Sequence, residues 1–187
     1  MKFLLQAIRD PQHIGAFTPS SKRLAELITD NADLENAKII VELGPGEGVF
    51  TKQIIKKRAV DSVYFTIEHN LQFTRIMKFK YPHIETFHNS AEHIEEYLHM
   101  LGYNQCDRII SGLPWTAFDD ALQETILSHI CKSLAPAGLF LTFSYYPFNY
   151  LSRGTLFRQK LYDYFSDVKE TKIVMNFPPA FVYICRK

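Results

Sequence analysis

Neither sign of charge dominates this sequence: 21 lysines and arginines stand against 20 aspartates and glutamates, a net charge of +1. Proteins that live on a nucleic-acid backbone draw much of their affinity from neutralising phosphates and carry a basic excess. The balance here speaks against an RNA or DNA partner. Cysteine is scarce as well. Cys106, Cys131 and Cys185 are odd in number, far apart and without zinc-ligand spacing, which argues against a disulfide framework or a structural metal. They read as small buried apolar residues in a reducing compartment. The seven histidines contain no H-E-x-x-H pair, so no metal is expected. Two further absences concern membranes. No apolar h-region followed by a small-residue cleavage site opens the chain. Ser133–Ser152 carries no formal charge, and ~20 residues suffice to cross a bilayer, but Pro136, Gly138 and Pro147 interrupt the run while Thr142, Ser144 and Asn149 dilute it. The expectation is a cytoplasmic protein that is neither secreted nor membrane-spanning.

What is present is material for one core. The chain has 187 residues, 47% of them hydrophobic, which fits one domain over 1–187, with an N-terminal helical segment over 1–30 and an α/β core over 37–187. Short apolar runs alternate with amphipathic ones. Strands are expected at Lys38–Leu43, Ser62–Glu68, Ile84–His88, Asp107–Ser111, Leu139–Phe143, Val168–Met175 and Phe181–Arg186. Helices are expected at Lys22–Thr29, Thr51–Lys57, Leu71–Lys80, Ala91–Leu101, Asp119–Leu134 and Thr155–Phe165. Alternation of this kind predicts a mostly parallel sheet covered on both faces. The last two strands, joined only by Asn176-Phe177-Pro178-Pro179, should pair antiparallel. In such sheets ligands sit beyond the carboxyl ends of the strands, where the strand order switches.

The residues at those ends are unusual. The first strand runs into Glu42-Leu43-Gly44-Pro45-Gly46-Glu47-Gly48, a G-x-G-x-G loop with an acid two residues before its first glycine. It differs from the G-x-G-x-x-G that serves a pyrophosphate. The second strand ends at Glu68, about 20 residues on, where an acid can accept hydrogen bonds from the ribose hydroxyls of an adenosine cofactor; its plain alternative is a surface glutamate. After the third strand come Asn89-Ser90-Ala91-Glu92. Ser90 and Ala91 stand where an adenine contact is expected, and Ser90 can equally be a helix N-cap.

Together with Ser111 and the segment after the fourth strand, these residues resemble the class I S-adenosylmethionine-dependent methyltransferases. That resemblance implies a Rossmann-like, seven-stranded fold and S-adenosyl-L-methionine as cofactor, held by Glu42, Gly44, Gly46, Gly48, Glu68, Ser90, Ala91 and Ser111. Gly15-Ala16-Phe17-Thr18-Pro19-Ser20-Ser21, Ser111-Gly112-Leu113-Pro114-Trp115 and Asn176-Phe177-Pro178-Pro179-Ala180-Phe181-Val182-Tyr183 are similar to segments of the bacterial phosphatidylethanolamine N-methyltransferases. The similarity runs from about Phe3 to the C-terminus. It implies an aminophospholipid substrate and places Thr18, Ser20 and Ser21 against the methionine end of the cofactor. More distantly the chain resembles the rRNA adenine dimethyltransferases.

Gly112 separates these two families. Enzymes that methylate planar base amines hold the amine with an Asn or Asp at this place and stack the base on the following aromatic; the chain keeps Trp115 but has glycine for the acceptor. Backbone carbonyls around Gly112 and Leu113 can still receive an aliphatic amine. Transfer from a sulfonium is an in-line displacement governed by alignment, and the amine must arrive neutral. No general base stands out. Trp115, with Tyr145, Tyr146 and Phe118 behind it, is the expected cation–π face for the product; core packing is the alternative for the tyrosines and for Trp115. An rRNA adenine dimethyltransferase-like enzyme and a non-catalytic cofactor-binding module remain the other readings.

At the N-terminus, Phe3, Leu4, Ala7 and Ile8 share one helical face. Four basic residues (Lys2, Arg9, Lys22, Arg23) face a single acid, Asp10, up to position 23. Such a segment can lie on an anionic membrane surface or simply lid the site. Ser20 or Ser21 is the expected N-cap of the following helix. Lys22, Arg23 and Arg153 are the candidates for the lipid phosphate.

Overall fold

The computed structural model describes residues 21–187. The first helix, α1 (Lys22–Asp30), starts at Ser21, whose side chain accepts from the Leu24 N–H. Strands β1 (Ile39–Leu43), β2 (Val63–Glu68), β3 (Glu85–His88) and β4 (Cys106–Ser111) alternate with α2 (Val49–Lys57), α3 (Leu71–Lys80) and α4 (Ile94–Met100). Then follow α5 (Asp120–Ser133), β5 (Leu134–Tyr145), α6 (Ser152–Tyr164), β6 (Asp167–Glu170) and β7 (Ala180–Arg186). They form one seven-stranded sheet in the order β3-β2-β1-β4-β5-β7-β6. β1 to β5 are parallel, and β7 runs antiparallel to both β5 and β6. The order reverses between β1 and β4, which opens the crevice expected of this topology.

Each face of the sheet carries its own core. Val41, Leu43, Phe65, Ile67, Ile109 and Phe140 pack under α4, α5 and α6, while Ile40, Ile110, Leu141 and Val182 pack under α1 and α2. The near-continuous apolar strands follow from that double coverage, since a strand buried on both faces cannot alternate with polar residues. Each fully buried Ile, Leu or Phe contributes about 1.5–3 kcal/mol. Helix starts are held by side chains as well: Asn70 Oδ1 accepts from the Gln72 and Phe73 N–H groups at α3, and Asp119 from the Leu122 N–H at α5.

Several boundaries differ from the sequence expectation, three of them with a visible cause. β5 begins at Leu134, where the expected helix ends and long before Leu139, because Leu134 already pairs with Cys106; Pro136–Gly138 then bulges out before Leu139 pairs with Arg108. β6 stops at Glu170, where Val168–Met175 was expected, because the Thr171 hydroxyl takes the Val182 N–H and interrupts the ladder. Only Val174 rejoins, opposite Ala180. The helix after β3 starts as a single tight turn over Ala91–His93. The expected N-terminal amphipathic helix, with Phe3, Leu4, Ala7, Ile8, Lys2 and Arg9, lies outside the described residues, as do Thr18 and Ser20. Among the described residues no helix is long and apolar enough to cross a membrane, and no cluster of His, Cys, Asp or Glu is arranged to hold a metal.

Candidate functional site

The parallel register brings Leu43, Ile67 and Ser111 level, with Glu68 and His88 one step further out. The loop Gly44–Gly48 rises from this edge. Gly44, Gly46 and Gly48 have φ of +68°, +56° and +86°. A Cβ on Gly46 would have nothing within 4 Å, so the left-handed backbone there faces open space, the room a ligand needs. Gly48 is filled from below: a Cβ would lie 2.5 Å from the Tyr81 ring, and the Tyr81 hydroxyl donates to Gly48 O at 3.2 Å.

Glu68 is tied to this loop. Its Oε2 accepts from the Gly46 N–H at 3.0 Å and its Oε1 from the Asn70 N–H at 2.8 Å, although it is only 7% exposed. A carboxylate offers about four acceptor positions, so each oxygen retains capacity for a further donor. The Asn89 N–H donates to Glu68 O at 3.1 Å, which brings the end of β3 beside it. Ser90 caps the next turn, its hydroxyl donating to Glu92 Oε2 at 2.7 Å, and Ala91 is buried among the core residues of that face.

Glu42 lies deeper. It is fully buried, and its Oε2 accepts from Thr51 Oγ1 at 2.7 Å and from the Tyr64 hydroxyl, while Oε1 has no partner among the described residues. Burial pushes its carboxyl up to about 7, opposed by the bonds from Thr51 and Tyr64. Glu42 therefore ties the first turn of α2 to β1 and β2, which fixes where the glycine loop leaves the sheet.

Across the crevice, Ser111 is buried at the end of β4 and its Oγ accepts from the Leu113 N–H at 3.2 Å. Gly112 donates to Leu43 O at 2.8 Å. A Cβ at Gly112 would meet Gly44 O at 2.5 Å, and one on Gly44 would meet Leu113 Cδ2 at 2.9 Å. The glycine at 112 is thus a packing requirement of the loop beside it, and a side-chain acceptor does not fit there.

Trp115 adopts the core-packing alternative. Its ring is 3% exposed, stacked on Phe157 with centroids 4.6 Å apart and planes at 17°, and flanked edge-on by Phe118 and Phe140. Nε1 donates to Thr142 Oγ1 at 2.9 Å. With one face on Phe157 and almost no exposed surface, the indole packs as part of the core under the post-β4 turn. Tyr145 is half-buried at the end of β5, its ring edge-on to Phe143, and burial pushes its hydroxyl up to about 12. Tyr146 and Tyr150 are exposed and meet edge to face.

The cations do not converge. Lys22 pairs with Glu26 at 3.5 Å, Arg23 Nη1 lies 3.3 Å from Met175 Sδ, and Arg153 reaches Ala117 O at 3.5 Å from the start of α6. The Ser21 N–H donates to Asn176 Oδ1 at 2.9 Å and the Tyr146 N–H to Pro179 O at 2.8 Å. The start of α1, the β6–β7 loop and the post-β5 loop are therefore fastened together at the mouth of the crevice. Sequence reasoning missed Asn70 and Asn176. Asn70 had a legible signal, an Asn just before a periodic apolar run. Asn176 was legible only as part of a resembling segment; its bond to Ser21 had no local signal, because the two lie 155 positions apart.

The chain is 29% identical to an ornithine lipid N-methyltransferase of Singulisphaera acidiphila, covering 98% of this chain and 94% of that protein. Its structure is similar to that of an O-methyltransferase from Bacillus cereus solved in complex with SAH, with a TM-score of 0.72, 13% identity, and coverage of 100% of this chain and 91% of the other. The fold is that of the class I methyltransferases. The same fold relates it to spermidine synthase from Thermotoga maritima, with a TM-score of 0.69 and 15% identity over 90% of this chain, which spans only 60% of that protein. No family model matches the chain.

Proposed function

We propose that this chain is an S-adenosylmethionine-dependent N-methyltransferase acting on the headgroup amine of a membrane lipid. The observation that carries the cofactor half is Glu68 bonded to the Gly46 amide beside open space over that glycine. An acid with acceptor capacity left, at the carboxyl end of β2 next to a loop cleared of side chains, fits an adenosine ribose. Glu68, Gly44, Gly46, Gly48, Ser90 and Ser111 would hold the cofactor, Glu42 would fix the loop from beneath, and Thr18, Ser20 and Ser21 would close the methionine end. The cofactor supplies an electrophilic methyl group on a sulfonium. The chain's own contribution is alignment: the loops after β1 and β4 hold each other in register through Gly44 and Gly112, so donor and acceptor amine would meet along one line.

The substrate half rests on near full-length similarity to a lipid N-methyltransferase and on Gly112, which excludes the side-chain acceptor suited to a planar base. Ornithine lipid and phosphatidylethanolamine both offer a primary amine near an anionic group, so both belong to the proposed class. Lys22, Arg23 or Arg153 would meet the anion, and Tyr145 would line the amine's approach. Around the mouth Tyr150, Leu151, Met175 and Phe177 are 71%, 52%, 76% and 62% exposed. Apolar side chains of this kind, with Lys22 and Arg23 beside them, suit shallow contact with an anionic membrane surface. The test is transfer of label from S-adenosylmethionine into extractable lipid, using vesicles that each carry one headgroup. Label in ornithine lipid or phosphatidylethanolamine supports the proposal and names the substrate; label in neither, with cofactor bound, overturns its lipid half.

A further inference from the structure

Accepting the N-methyltransferase proposal leaves one chemical need unmet: a group to orient the amine without holding it protonated. Position 112 cannot supply it, since a side chain there would meet Gly44 O. The adjacent strand offers another. After β5 the chain makes a tight turn over Phe148–Tyr150, closed by bonds from the Tyr150 N–H to Pro147 O at 3.0 Å and from the Leu151 N–H to Phe148 O at 3.1 Å. In the middle of that turn Asn149 is 7% exposed, and its Oδ1 has no partner among the described residues. A buried acceptor without a donor is costly and rare in folded proteins.

The surrounding packing keeps the amide there. Gly154 in α6 lies so close that a Cβ would be 2.6 Å from Phe148 O and 2.7 Å from Asn149 Cα. The same end of α6 packs on the post-β4 turn, where Arg153 reaches Ala117 O. β4 and β5 are neighbouring parallel strands, so the loops that carry Gly112-Leu113 and Asn149 leave the same edge of the sheet. Of the other buried unpartnered side-chain atoms, Glu42 Oε1 lies under the glycine loop, Ser133 Oγ ends α5 at the opposite edge, and Tyr183 OH is within β7. Gln123 Oε1 belongs to an amide already fixed to Trp115 O through Nε2.

We propose that Asn149 is the amine-orienting residue, its side-chain carbonyl accepting a hydrogen bond from the substrate amine N–H. A neutral amide suits this task better than a carboxylate, which would favour the ammonium form and remove the nucleophilic lone pair. In the transfer the nitrogen lone pair forms the new N–C bond while the methyl–sulfur bond breaks. The sulfur keeps that bond's electron pair, and the methylated ammonium releases its proton to water. As positive charge develops on nitrogen, the bond to Asn149 strengthens, so its contribution appears in the rate. At this end of the crevice the nearby ionisable side chains are Tyr145 on β5, Tyr146 and Tyr150 in the loop that carries Asn149, and Arg153 on α6; the turn Trp115–Ala117 contributes none.

The test compares wild type with Asn149→Ala and the isosteric Asn149→Asp, each first shown to bind S-adenosylmethionine with wild-type affinity. Asn149→Ala should lower kcat about 10–100-fold, with a much smaller change in KM for the lipid. In Asn149→Asp the new carboxylate favours the bound ammonium, so the ascending limb of kcat should move about one pH unit higher. Wild-type kcat in Asn149→Ala, or an unmoved limb in Asn149→Asp, would overturn the inference and leave Asn149 as the partner of a buried water. If wild type itself methylates no lipid amine, the N-methyltransferase proposal fails instead.

Discussion

Replacing Gly112 with alanine places one methyl group between two backbones that have nowhere to go. The new Cβ would lie 2.5 Å from Gly44 O, where contacts below 3.0 Å are essentially never seen. Gly112 is pinned by its bond to Leu43 O at 2.8 Å, and Gly44 by its bond to Ile67 O at 2.9 Å. Relief requires separating the post-β4 loop from the glycine loop. Overpacking of this kind costs about 1–3 kcal/mol, which for a chain of this size lowers Tm by roughly 3–10 °C. Because the displaced atoms carry the glycine loop proposed to hold the cofactor, affinity for S-adenosylmethionine should fall about tenfold or more. Gly46→Ala is the matched control. Its Cβ meets nothing within 4 Å, so its cost to the free protein is the left-handed strain of about 1–2 kcal/mol, yet the methyl occupies the space left for the ligand. Thermal unfolding and calorimetric titration of both variants test the contrast. A Gly112→Ala protein whose Tm stays within about 1 °C of wild type and whose affinity is unchanged would refute the reasoning.

Glu68→Gln keeps the shape of the site but removes the charge that receives the Gly46 N–H and, on the proposed function, would receive the ribose, so cofactor affinity should fall about 10–100-fold with little loss of Tm; calorimetry checks this. Glu42 has its folded pKa raised from 4.5 to about 7 by burial. The folded state therefore keeps a proton that the unfolded chain releases, and the contribution of this group is fully present below 4.5 and is lost as pH rises through about 7. Urea denaturation at pH 5, 6, 7 and 8 should show wild type losing stability relative to Glu42→Gln up to about pH 7 and no further divergence above it. Trp115→Phe should cost about 1–2 kcal/mol of stability through the lost Thr142 bond and packing while activity per folded molecule stays within a few-fold. A Trp115→Phe protein with unchanged Tm and abolished kcat would return the indole to the substrate.

The strand edge was legible because its signals are local. The run into Gly44-Pro45-Gly46-Glu47-Gly48 and the spacing to Glu68 place the glycine loop and the acid that bonds it at neighbouring strand ends, and the alternation of elements implies the parallel sheet with its antiparallel close. What escaped depends on contacts between distant segments. Trp115 sits in a motif that resembles one whose aromatic faces a ligand in base-methylating enzymes, but here it stacks on Phe157, 42 positions later. Gly112 looked like a lost acceptor; only the approach of Gly44 reveals why no side chain fits. The start of β5 was hidden because Pro136 and Gly138 signal a break, while the ladder resumes on the far side of the bulge. Asn149 stood inside an uncharged aromatic run that the sequence describes only as a loop.

The most direct measurement is a single turnover. Wild type and Glu68→Ala are loaded with S-adenosylmethionine labelled in its methyl group, mixed with anionic vesicles carrying ornithine lipid or phosphatidylethanolamine, quenched and extracted. Label should enter the lipid amine with wild type and be lost with Glu68→Ala, joining the cradle at the sheet edge to lipid N-methylation. Bound cofactor with unlabelled lipid in the wild-type arm, or equal labelling by Glu68→Ala, would contradict it.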